Sequence, residues 1–208
     1  MKILVLGASG RVGSCFTQAA LSAGHQVVAF VRDPTRLNVR DPALCLFQGD
    51  AEDPEALENA VLGVDLVVSA LGPRQLKAPI TLMSDALLFI LDAMQREAIA
   101  RIMCVIGTGI LQETPDRLKM DAPGFPAFLR PLAEDYLRMY ALLDQSLSDW
   151  TLVCAPTLLE RVRTGQVRVE ANYLPADGLS LGIDDLVDFL LSEIQTPHFL
   201  RQRVGVAH

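Results

Sequence analysis

Three glycines spaced G-x-x-G-x-x-G, in Gly7-Ala8-Ser9-Gly10-Arg11-Val12-Gly13, are the residues of this chain best suited to chemistry. The chemistry is anion binding. Small residues let the backbone approach a pyrophosphate closely, and a helix opening just after them offers free N–H groups and the positive end of its dipole. Gly7, Ser9, Gly10, Arg11, Val12 and Gly13 are therefore candidate contacts, with Gly13 also letting helix pack close to sheet. A merely structural glycine turn is the competing reading. Position favours binding: the motif directly follows the apolar run Lys2 to Leu6 and opens a helical pattern from Gly10 to Ala23.

A second group of residues would select the nucleotide. The next apolar run ends Val31-Arg32-Asp33-Pro34-Thr35-Arg36. Two guanidinium forks, Arg32 and Arg36, can grip a 2′-phosphate, with Thr35 adding a hydroxyl. Asp33 is the opposing feature, since an acid there suits the free ribose hydroxyls of NAD, but it can equally point outward or cap the turn. NADP(H) is expected over NAD(H). Asp50, after Gly49, can accept from an adenine amino group or cap the following turn, with Ala51 beside it. Ala70, Leu71 and Gly72 close a later apolar run, and they are small enough for a cofactor backbone to pass.

These residues need a scaffold that gathers strand ends. Apolar runs at Lys2 to Leu6, Gln26 to Val31, Leu44 to Gln48, Val64 to Ala70, Arg101 to Ile106 and Trp150 to Ala155 read as buried strands. Helical patterns separate them at Asp53 to Leu62, Ile80 to Arg96, Leu132 to Leu147 and Gly182 to Glu193. Asp53-Pro54 starts its helix in the favoured way, and Asp184 and Asp185 sit in a first turn. Short extra strands are expected at Val167 to Glu170 and Arg203 to Val206. From Leu111 to Pro131 periodicity is lost among four prolines, which predicts loop or short irregular helix. Alternating strand and helix predict an α/β, Rossmann-type doubly wound parallel sheet with right-handed crossovers. One domain, residues 1–208, is expected, with a small substrate lobe mainly from 111–131 and 157–182.

Composition narrows the classes. The 208 residues carry a net charge of −7, which repels nucleic-acid phosphates. No run reaches the ~20 apolar residues of a membrane span. The opening Met1 to Leu6 resembles a signal peptide, but Gly7 to Gly13 follows at once, and a cytoplasmic location is expected. Cys15, Cys45, Cys104 and Cys154 lie in apolar runs without a C-x-x-C pair, which predicts buried structural thiols. His25, His198 and His208 lack metal-ligand spacing, so no metal is expected.

The motifs G-A-S-G-R-V-G, V-R-D-P-T-R-L, Q-G-D-A-E-D-P and V-V-S-A-L-G together resemble the atypical short-chain dehydrogenases, the NmrA-like NAD(P)H-binding proteins. Asp135-Tyr136-Leu137-Arg138-Met139-Tyr140, followed by Trp150 to Pro156, is similar to the biliverdin-IXβ reductase/flavin reductase branch, so the likeness covers nearly the whole chain. It implies a Rossmann-order sheet with a C-terminal substrate lobe, and NADPH-dependent reduction of flavins or related conjugated rings. It places a serine where this chain has Thr108, whose hydroxyl can bond the nicotinamide amide or the substrate, or simply serve the turn between Gly107 and Gly109.

The better-known short-chain dehydrogenases activate a tyrosine through Tyr-x-x-x-Lys. Here Tyr136 is followed by Tyr140, and the lysines are Lys2, Lys77 and Lys119. Carbonyl–alcohol chemistry is therefore disfavoured. Hydride transfer between stacked rings needs no such pair, because the proton can come from water. Tyr136 and Tyr140 share a helical face and can line the pocket or pack in the core. Arg138 is expected to be a solvated charge. Ala155 and Pro156 can contact the carboxamide through backbone groups, or Pro156 can merely end the strand. Phe125, Phe128, Arg117 and Lys119 can form a lid over a flat anionic substrate, or an ordinary surface loop.

The expected activity is NADPH-dependent reduction of a flavin, quinone or related conjugated small molecule by a monomer or homodimer. A non-catalytic NADP(H)-binding redox sensor of NmrA type is the alternative. An isomerase or epimerase is less favoured, because such enzymes usually carry a larger substrate lobe.

Overall fold

A computed structural model describes residues 1–73, 75–76, 79–160 and 162–208. Lys77, one of the lysines discussed above, lies outside the described residues. In chain order the strands and helices are β1 (Lys2–Leu6), α1 (Arg11–Ser22), β2 (Gln26–Val31), β3 (Leu44–Gln48), α2 (Pro54–Val61), β4 (Leu66–Ser69), α3 (Leu82–Arg96) and β5 (Arg101–Gly107). There follow β6 (Gln112–Thr114), β7 (Arg117–Leu118), α4 (Arg130–Gln145), β8 (Asp149–Ala155), β9 (Thr157–Leu159), β10 (Arg168–Ala171), β11 (Ser180–Gly182), α5 (Ile183–Gln195) and β12 (Gln202–Ala207).

The main sheet runs β10-β12-β8-β5-β4-β1-β2-β3. It is parallel except at β10, which pairs antiparallel to β12, with Val169 opposite Val206. The all-parallel expectation fails only at this edge, where a loop returns from the substrate lobe. The central strands are buried on both faces, which explains why they read as unbroken apolar runs. Leu4, Leu6, Phe30, Ile102 and Leu152 face α2, α3 and α4. Their neighbours Ile3, Val5, Ala29, Met103 and Val153 face α1 and α5. Strand order reverses at β1, which pairs with β2 on one side and β4 on the other. The crevice beyond the carboxyl ends at such a point is where ligands bind in this architecture.

The helix at 54 starts as its residues dictate. The Asp53 side chain accepts from the Glu55 amide at 3.1 Å and the Ala56 amide at 3.4 Å, with Pro54 in the first turn. Asp53→Ala should therefore lower stability by about 1 kcal/mol in urea unfolding while leaving ligand affinity unchanged.

Other expectations need correction. The third helix begins at Leu82 rather than Ile80. The 111–131 segment is more ordered than a loop: β6 and β7 form a small hairpin, followed by single helical turns. The 157–182 segment contains a parallel pair of three-residue strands, β9 and β11, with Leu158 opposite Leu181. Of the four cysteines, only Cys104 and Cys154 are buried. Cys45 is exposed, because β3 is the edge strand of the sheet and presents one face to solvent. Among the described residues, no helix is long and apolar enough to cross a membrane, and no cluster of three or more His, Cys, Asp or Glu could hold a metal.

Candidate functional site

The β1–α1 turn is built by close backbone approach. Gly7 has φ +74°, and a Cβ there would stand 2.5 Å from the Ala70 carbonyl oxygen. The turn is thus pressed against the end of β4. The Gly10 amide donates to the Gly7 carbonyl at 2.9 Å, tightening the loop. A Cβ on Gly13 would lie 2.2 Å from the Gly7 oxygen, so α1 can sit this close to β1 only with glycine there. Helix α1 starts at Gly10 with no side-chain cap and no acidic residue in its first turn. An anion is the natural partner for such an end.

A groove of about 540 Å³ runs past this turn. Gly7, Ser9, Gly10, Arg11 and Val12 line one side, and Ala70, Leu71 and Gly72 another. Arg32, Arg36, Asp50 and Ala51 line its far end, so the structure gathers nearly every residue expected at a dinucleotide. Gly13 and Thr35 do not line it. Gly13 acts from behind, through packing. Thr35 is turned inward: its hydroxyl donates to Asp33 Oδ1 at 2.6 Å and its amide to the same atom at 3.0 Å. Those two bonds hold the Asp33 carboxyl below its usual pKa, the hydroxyl bond contributing most. Asp33 therefore caps the single turn Pro34–Arg36 and does not line the groove.

Arg32 and Arg36 are exposed, and neither forms an ion pair among the described residues. The Arg32 carbonyl is held by Gln48 Nε2 at 3.2 Å. Arg11 is placed differently. Its guanidinium pairs with Glu160 and donates to the Leu158 carbonyl at 3.0 Å, linking α1 to the substrate lobe. Asp50 does both things expected of it as alternatives: it accepts from the Glu52 amide at 3.2 Å and still lines the groove.

A second cavity of about 460 Å³ adjoins the first. Gly107, Thr108 and Gly109 at the end of β5 and Ala155 and Pro156 at the end of β8 line it, together with Tyr136. Tyr136 lines both cavities and is the link between them. Its ring lies against the end of β5, since a Cβ on Gly107 would sit 3.4 Å from Tyr136 Cε2. Burial pushes the phenol up to about 12, against a lowering by the Gly107 backbone and with smaller upward pushes from Asp135 and Cys154. Tyr136 is thus held as a neutral hydroxyl.

Tyr140 lies elsewhere. Its ring packs edge-on to Trp150 at 5.8 Å, with the Arg203 guanidinium 4.9 Å above it, and it lines neither cavity. The lid expectation is met only in part. Phe125 and Lys119 line the second cavity, whereas Arg117 and the 62% exposed Phe128 do not. Lys119 is paired with Glu113 at 3.0 Å, so it is not a free anion receptor. Arg138, expected to be a solvated charge, is only 46% exposed and bonds back onto the protein.

Sequence reasoning missed Leu82 and Leu158, which also line the groove. Leu158 belongs to a strand too short to leave a periodic signal, and Leu82 opens a helix whose start was placed two residues early.

Comparison with known proteins agrees with this geometry. The uncharacterized protein YwnB of Bacillus subtilis is 26% identical over 99% of this chain and 98% of its own length. The isoflavone reductase homolog P3 of Arabidopsis thaliana is 33% identical over 84 residues, 36% of this chain and 27% of that protein. The chain thus spans about a quarter of the length of the plant relatives it matches. A Burkholderia pseudomallei structure described as an exported protein superposes with TM-score 0.85 and 28% identity, each chain fully covered. A Streptococcus pneumoniae protein described as an NADH-flavin reductase shares the fold, with TM-score 0.84, 24% identity and coverage of 100% and 99%. The sequence model of one family, described as NAD(P)H-binding, matches residues 7–197. With its glycine turn, switch-point groove and Rossmann-type sheet, the chain belongs to the NAD(P)H-binding family, as the likeness to atypical short-chain dehydrogenases leads one to expect.

Proposed function

We propose that the protein is an NADPH-dependent reductase of a flavin, quinone or related conjugated small molecule. The carrying observation is that the groove and the second cavity meet at Tyr136, so a dinucleotide along the first would end beside whatever occupies the second. The residues present fit such a cofactor. The uncapped start of α1 suits a pyrophosphate, and the Gly7 and Gly13 positions leave no room for a Cβ that would push the helix away. Arg32 and Arg36 suit the 2′-phosphate, and Asp33, turned to Thr35, is not poised for ribose hydroxyls.

When bound, the cofactor supplies a hydride. The chain's own residues then have three tasks. Arg32, Arg36 and the α1 amides bind and orient. The apolar walls around Phe125, Leu129 and Leu132 stack a flat ring and exclude water. Thr108 and Tyr136 offer hydroxyls to a carbonyl or ring nitrogen of the acceptor, with the proton finally drawn from water. The relatives described as isoflavone reductase homologs and an NADH-flavin reductase support reduction of conjugated rings. Tyr140 stands where a lysine would activate Tyr136, and it is packed on Trp150. That observation argues against dehydrogenase-type acid–base catalysis, and it also keeps a non-catalytic NADP(H) sensor as the second reading.

The test is binding followed by turnover. Calorimetry should show NADPH bound more tightly than NADH. Arg32→Ala with Arg36→Ala should weaken NADPH about ten- to a hundredfold, since charge-assisted bonds contribute ~1.5–3 kcal/mol, and should leave NADH unchanged. Loss of reduced-nicotinamide absorbance with riboflavin, FMN or a quinone supports a reductase. Tight binding of NADP⁺ and NADPH with no acceptor reduced supports the sensor. No binding of any nicotinamide nucleotide sinks both.

A further inference from the structure

Helix α3 has no cap of its own. Thr81 stands at its N-cap position without a side-chain hydrogen bond to the helix. The missing acceptor comes from another helix. Asp135 on α4, fully buried, accepts from the Met83 amide at 3.1 Å through Oδ2. A carboxylate at a helix N-terminus is favoured by the dipole as well as by the bond. A buried carboxylate also needs a counter-charge, and Arg138, one turn along α4, supplies it at 3.2 Å from Oδ1. The same guanidinium donates to the Ile80 carbonyl and reaches Ser84 Oγ at 3.4 Å. Two side chains of α4 thus hold both sides of the turn that starts α3.

What they hold matters for the site. Leu82, between Ile80 and Met83, lines the dinucleotide groove. Tyr136, next to Asp135, lines the groove and the second cavity. We propose that Asp135 and Arg138 are a positioning pair that sets the separation of Leu82 and Tyr136, the two walls between which the cofactor passes toward the second cavity. The proposal rests on reading the groove as the NADP(H) site. Neither side chain lines the groove, so both act through the residues they hold.

The experiment compares Arg138→Met and Arg138→Lys with Met139→Ala. Met139 is buried on the same helix and lines neither cavity, so its truncation destabilises α4 without touching the pair. NADP⁺ affinity is measured by calorimetry well below every melting temperature, and hydrogen exchange is followed over residues 79–85. Arg138→Met should weaken NADP⁺ about tenfold and speed exchange over 79–85, as expected when the support of a binding wall is lost. Arg138→Lys should recover part of both effects, because an ammonium can neutralise Asp135 but cannot also bridge to Ile80. Met139→Ala should lower the melting temperature while affinity and local exchange stay near wild type. Unchanged affinity or unchanged exchange in Arg138→Met overturns the proposal, as does an equal loss of affinity in Met139→Ala. If the wild type binds no NADP⁺, the dinucleotide reading fails and the pair has no groove to position.

Discussion

Gly13→Ala should abolish useful NADP(H) binding and destabilise the protein, although alanine is the better helix former. Propensity alone favours the substitution by about 1 kcal/mol. Packing opposes it. The new Cβ would lie 2.2 Å from the Gly7 oxygen, 2.8 Å from its carbonyl carbon and 2.9 Å from Ala8 Cα, all backbone atoms that no rotamer change can move. Overpacking of this kind costs about 1–3 kcal/mol, so a net loss of roughly 1–2 kcal/mol is expected in urea unfolding. Affinity should suffer more, because α1 must slide away from the turn whose amides meet the pyrophosphate. A displacement of about 1 Å can cost on the order of a hundredfold. Gly10→Ala is the comparison. Its Cβ would meet only the Gly7 oxygen, at 3.1 Å, so its stability should change less. Equal stability and NADPH affinity for Gly13→Ala and wild type would remove the close-approach account of the turn.

This turn was legible in the sequence because its constraint lies in the backbone. Glycine spacing records where no side chain fits, whatever the rest of the chain does. The Arg32 and Arg36 pair was legible for a similar reason: both lie at the end of one strand and need no distant partner to face the crevice. Tyr136 and Tyr140 were not separable. They differ by only about 40° around the helix axis, and the choice between cavity and core is made by Trp150 on β8 and Arg203 on β12. Nothing local to α4 records those neighbours. Arg138 was misread for the same reason, since its partners Ile80 and Ser84 are more than fifty residues away. The β9–β11 pair escaped because three residues carry too little alternation to be told from loop.

The second large effect expected is a loss of stability at alkaline pH, and it bears on how Tyr136 can work. Three buried acids are held neutral by the fold. Burial raises Cys104 from 9.0 to about 12, raises Cys154 further still, and raises Tyr136 from 10.0 to about 12. In each case the folded value exceeds the unfolded one. The stabilisation is therefore fully present below the unfolded pKa and is lost as pH rises toward the folded value, because the unfolded chain ionises first. Unfolding free energy should start to fall near pH 9 with the thiols and steepen above pH 10 with the phenol. The Tyr136 share is on the order of 2–3 kcal/mol, two pH units at about 1.4 kcal/mol each. Tyr136→Phe isolates that share: its stability should decline less than wild type between pH 10 and 11.5, with the thiol contribution left in place. The same substitution tests the site. A phenol that stays protonated can donate a hydrogen bond to an acceptor's carbonyl but cannot serve as a base, so turnover with a quinone should be flat from pH 7 to 9 and fall in Tyr136→Phe by about tenfold, less than the ~10²–10⁴ of a full general acid. A wild-type rate climbing with pH through that range would mean that Tyr136 ionises there, and the neutral-donor role would be lost with it.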